Sequence, residues 1–72
     1  MANNKDDLAK KLGNNIKIFR KKLKLTQLEL SIQADIAEDY LQSIEVGRRK
    51  PSLDVLEKIG KALKIELYEL FK

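Results

Sequence analysis

Leu8, Leu12, Ile16, Phe19 and Leu23 step along the chain by four, four, three and four residues. That spacing puts apolar side chains on one face of an α-helix, while Lys10, Lys11, Lys17, Lys21 and Lys22 take the other faces. A first helix is predicted over residues 5–24. Asp6 and Asp7 near its start and Lys21, Lys22 and Lys24 near its end complement the helix dipole. Gly13 falls inside it and costs ~1 kcal/mol relative to Ala; the pattern offers no reason for it. "TQLE" then has the form of a capping box, with Thr26 as cap and Glu29 reaching back to its amide. It opens a second helix over residues 27–34, with Leu30 and Ala34 inward. A third helix covers residues 38–45, with Leu41 and Ile44 inward and Ile36 packed at the turn before it. Gly47 ends it by allowing positive φ.

"RRKPS" reads as a basic loop. Pro51 pushes Lys50 toward extended geometry, and Ser52 can cap a fourth helix that carries Asp54 in its first turn. Leu53, Leu56, Ile59 and Leu63 form its stripe. A short last helix over residues 67–71 offers Leu67, Leu70 and Phe71. No strand pattern, repeat or low-complexity run interrupts this order. The expected fold class is all-α: a compact five-helix bundle, one domain over residues 1–72, with residues 1–5 a flexible tail.

Composition narrows the function. A chain of 72 residues buries only about 60% of its unfolded surface, so the core is small. With no Cys and no His, disulfides and the usual zinc sites are absent. No metal, no cofactor and no small-molecule ligand is expected, and the chain is not expected to be an enzyme. "MANNKDDLAKK" lacks the apolar run of a secretory signal. No segment approaches the ~18 apolar residues of a membrane span. A cytoplasmic location is therefore expected.

The formal charge of +4 is unevenly laid out. Residues 1–24 carry eight bases and two acids, residues 25–46 five acids and no base, residues 47–72 seven bases and four acids. Mild basicity fits a polyanionic partner and fits simple solubility equally well. The acidic middle argues against a uniformly basic face.

Two short helices separated by "DIA" match the helix-turn-helix corner, a weak signal by itself. The longer stretch "IKIFRKKLKLTQLELSIQADIAEDYLQSIEVGRRKPSLDVLEKIGKALKIELYELF" carries more. Arg20 in "FRKK", "LTQ" with Leu30 four residues after Thr26, "YLQSIE", "GRRKPS" and "LEKIGKALKI" leading to "ELF" together closely resemble the Cro/phage-repressor, or XRE-like, helix-turn-helix family. The resemblance covers residues 12–71. Restriction–modification controller proteins share this short format. It implies a lambda-repressor-like fold and a sequence-specific regulator of transcription. Such a regulator binds palindromic operators in double-stranded DNA as a homodimer, with no membrane association.

The resemblance also implies roles by residue. Thr26 and Gln27 open the helix that crosses the DNA backbone, where free amides attract phosphate. The third helix presents Glu38, Asp39, Gln42, Ser43 and, at its end, Val46 outward, opposite Leu41 and Ile44. Gln42 can pair with adenine and Ser43 with several bases. Tyr40 either places its hydroxyl on a phosphate or covers the apolar rim. Arg48, Arg49 and Lys50 lie along phosphates, or form a solvated basic turn. Arg20 and Glu45 match a buried structural ion pair, and Leu67, Leu70 and Phe71 a two-fold dimer interface.

Three readings compete for the acids that open the third helix, Glu38 and Asp39. They favour the positive end of the helix dipole; one accepts a hydrogen bond from cytosine N4; or the corner meets a protein instead of DNA. The turn departs from the family pattern, with Asp35 where Gly is usual and Ala37 where Ser or Thr is usual. Asp35, with Glu38 three residues on, could then cap one turn early. Leu28 and Ile32 stand where the family tends to be polar and either extend the core or form an exposed patch. The alternative function is accordingly a protein-interaction module on the same scaffold.

Overall fold

The structure, a computed structural model, describes residues 4–72, with side chains from Asp7 onward. Its elements are α1 (Asn4–Lys22), α2 (Gln27–Gln33), α3 (Glu38–Glu45), α4 (Leu53–Leu63) and a final 3₁₀ turn (Leu67–Phe71). The all-helical class stands. The fifth helix is corrected to a 3₁₀ turn, as suits a segment too short to propagate an α-helix. Of the proposed flexible tail, residues 1–3 lie outside the described residues; Asn4 and Lys5 are helical.

Helix α1 stops two residues earlier than the apolar pattern suggests. Lys24 enters the left-handed region at φ 59°, and the Leu25 amide closes back on the Arg20 carbonyl at 3.1 Å. Its buried stripe is also rotated. Ala9, Leu12, Gly13, Ile16 and Arg20 are buried and Phe19 is half-buried, whereas Leu8 and Leu23 lie at the exposed margin. Gly13 explains the rotation. A Cβ there would collide with the Ile44 carbonyl oxygen and stand 2.7 Å from that of Glu45. The missing side chain lets α1 press directly on the C-terminal backbone of α3.

Caps set the remaining boundaries. The Thr26 amide donates to Glu29 Oε1 at 2.8 Å, and the Glu29 amide to Thr26 Oγ1 at 3.0 Å, so both arms of the capping box are made. Asp35 takes φ 57° between α2 and α3. The N-cap of α3 is Ala37, without a side-chain hydrogen bond, so Asp35 does not cap one turn early and α3 begins at Glu38. Gly47 adopts φ 82° after α3. The Val55 amide donates to Ser52 Oγ at 3.2 Å.

Leu12, Ile16, Leu30, Ala34, Leu41, Ile44, Leu56, Ile59, Leu63 and Leu70 form one core. Every element contributes to it, and α2 and α3 are fixed to α1 and α4 as a corner. Among the described residues, no helix is long and apolar enough to cross a membrane.

Candidate nucleic-acid interface

The polar centre of the corner is Arg20. Its Nε donates to Glu45 Oε2 at 2.7 Å and its Nη2 to Glu45 Oε1 at 3.1 Å, a two-pronged pair that fixes the guanidinium plane. Its Nη1 donates to the Leu25 carbonyl at 2.7 Å. Gln27 Nε2 donates to the same Glu45 Oε1 at 3.1 Å. Both charged residues are buried, and among the described residues no buried side-chain polar atom lacks a partner. Four hydrogen bonds therefore tie the end of α1, the following loop, the first residue of α2 and the last of α3. Gln27 is half-buried and committed at one end to Glu45. Only the rest of its amide is available to a phosphate, and Thr26 serves as cap.

Helix α3 buries Leu41, Ile44 and Glu45. Its outward residues Asp39, Gln42 and Val46 are exposed, and Glu38, Tyr40 and Ser43 are half-buried. Tyr40 packs against the core rim. Ser43 Oγ donates to the Asp39 carbonyl at 3.1 Å, so its hydroxyl proton is already engaged within the helix. Asp39 and Gln42 are left as the polar side chains most open to a partner.

The basic loop is held against the end of this helix. The amides of Arg48 and Arg49 donate to the Ser43 carbonyl at 2.9 and 3.2 Å. Arg49 joins Ala37, Asp39, Tyr40 and Ser43 around a shallow cleft of about 280 Å³. Arg48, Arg49 and Lys50 are all exposed. Sequence position brought these cations near α3; the hydrogen bonds to one carbonyl place them on its rim. This arrangement sets a polar strip beside a cationic shoulder, able to meet base edges on one side and phosphates on the other.

One sequence expectation changes at the surface, and one open alternative is decided. Leu70 is fully buried and cannot face a partner. In a 3₁₀ helix residues three apart eclipse, so Leu67 and Leu70 share the inner face while Tyr68 and Phe71 share the outer one. Tyr68 and Phe71 are 61% and 43% exposed, and Asn15 Nδ2 holds the turn in place by donating to the Leu70 carbonyl at 2.9 Å. Counting by threes would have found Tyr68. Leu28 and Ile32 are 50% and 68% exposed and do not extend the core.

A helix-turn-helix family model of the XRE-like type matches residues 16–70. The chain belongs to this family of DNA-binding transcription regulators. It is 43% identical over 67 residues to control protein C.MunI of Mycoplasma sp., a match spanning 92% of this chain and 90% of that protein. It is also 43% identical over 56 residues to the immunity repressor of Bacillus phage phi105, of which it spans only 39%. Among solved structures, the restriction-modification controller protein C.AhdI from Aeromonas hydrophila superposes with a TM-score of 0.86 at 32% identity. That superposition covers 88% of this chain and 96% of the controller.

Proposed function

We propose that the chain, acting as one unit in the cytoplasm, is a sequence-specific regulator that binds palindromic operator DNA as a homodimer, with α3 in the major groove. The observation that carries this reading is the exposed Asp39–Gln42 strip lying against a basic loop whose amides are anchored on Ser43. Gln42 reads a base edge, and Glu38, Asp39 and Ser43 border it. Arg48, Arg49 and Lys50 follow phosphates, joined by the free part of the Gln27 amide, the α2 N-terminus at Thr26 and the Tyr40 hydroxyl. The acids at the tip of α3 do not oppose this. They gain ~0.3–1 kcal/mol from the helix dipole, and binding draws its electrostatic attraction from the flanking cations.

Tyr68 and Phe71 supply the two-fold contact, and Leu67, expected there, packs inward beside Leu70. A dimer places two recognition helices about 34 Å apart on one face of the duplex. Likeness to control proteins of restriction–modification systems supports a regulator of that kind. Selection from random duplex DNA at ~100–150 mM salt tests the proposal, because specific binding at that salt still exceeds nonspecific phosphate attraction. An enriched palindrome is expected. The exposed Leu28 and Ile32 favour a second reading, a protein-docking module; that reading predicts no enriched duplex.

A further inference from the structure

Val46 is 60% exposed and sits at the C-cap of α3 with φ −87° and ψ 0°, so its side chain continues the helical sweep. At about 100° per residue, it falls about 20° from Asp39, between Gln42 and Ser43 and opposite Leu41. An apolar side chain thus extends the strip assigned to base reading at its C-terminal end, in line with the strip's angular centre. Residues 39, 42, 43 and 46 also have the i, i+3, i+4, i+7 spacing that sets side chains on one face of a helix.

In that groove every base pair presents hydrogen-bonding groups, and the one apolar group is the 5-methyl of thymine. A valine pressed on any other edge strips water from donors or acceptors and returns no hydrogen bond. We propose that Val46 is a specificity-determining residue that packs on a thymine methyl; this rests on the DNA-reading role of α3. Val46 lies four residues beyond Gln42, about 6 Å along the axis. The thymine therefore stands within about three base pairs of the one Gln42 reads.

The test replaces each thymine of the selected duplex, one at a time, by deoxyuridine, which keeps the pairing and lacks the methyl. Affinity of the full chain is expected to fall about fourfold at one thymine per half-site, the factor that burying one methyl supplies. In Val46→Ser the fall at that thymine should vanish, while the salt dependence and the responses elsewhere stay as in the parent. If no thymine responds in the parent, or the response survives unchanged in Val46→Ser, Val46 does not read a methyl although α3 still reads DNA. Failure to enrich any duplex overturns the DNA-reading assignment and this role with it.

Discussion

An alanine at position 13 would drive its Cβ into the Ile44 and Glu45 carbonyls. Two effects then oppose each other. Helix propensity favours alanine over glycine by ~1 kcal/mol; overpacking costs ~1–3 kcal/mol, and here the obstacle is backbone rather than a flexible side chain. The clash should win. Gly13→Ala is predicted to lower the melting temperature, by about 4–8 °C for each kcal/mol of stability removed in a domain this small; a rise would mean that α1 and α3 stand far enough apart to admit a methyl group.

The buried pair gives a second residue-scale prediction. Glu45→Ala strands the Arg20 guanidinium, at a cost of ~3–5 kcal/mol. Replacing both residues with methionine should recover most of that loss, because a buried ion pair contributes little beyond an apolar equivalent. Denaturant melts of the single and double variants read the difference. Equal destabilisation by both would mean that the pair itself stabilises the fold.

The elements show which information is local. The capping box of α2, the Ser52 cap and the chain reversal at Gly47 were legible because each is decided by residues within a few positions. Thr26→Ala should cost ~0.5–2 kcal/mol in urea unfolding, whereas no loss would mean that water caps α2 equally well. The span expected for α3 matches, but its start was left open in the sequence, because Ala37 is a poor cap and Asp35 could have capped earlier. Its start follows from the left-handed turn at Asp35 and the burial of Leu41 and Ile44.

What the pattern could not supply was nonlocal. The inner face of α1 is set by the approach of α3 at Gly13, so an apolar stripe that included Leu8 and Leu23 pointed slightly off axis. The 3₁₀ turn changes the period from 3.6 to 3, which exchanges Leu70 for Tyr68 on the outer face. Gln27 could be placed at the start of α2, but its bond to Glu45 depends on a residue of another helix.

At the scale of the molecule, the basic–acidic–basic layout resolves into geometry. Some acids of the middle third are consumed internally, Glu45 by Arg20 and Glu29 by the α2 cap. The cations of the 48–50 loop remain free at the surface beside α3. Association should therefore depend strongly on salt, with log affinity falling by about 0.9 per decade of salt for each phosphate neutralised. Sedimentation of Phe71→Lys with Tyr68→Lys should show loss of the dimer with the fold intact. An unchanged dimer would move the two-fold contact away from the final turn.

The most direct test compares two variants on the selected duplex and on single-base variants of it. Arg48→Glu with Arg49→Glu should weaken binding to all sequences alike and flatten the salt dependence by about 0.9 for each phosphate no longer neutralised. Gln42→Ala should instead relax preference at one base position, by about 1–3 kcal/mol. If Gln42→Ala lowered affinity uniformly, or the arginine reversal left affinity unchanged, α3 and its basic shoulder would not be the surface that reads DNA.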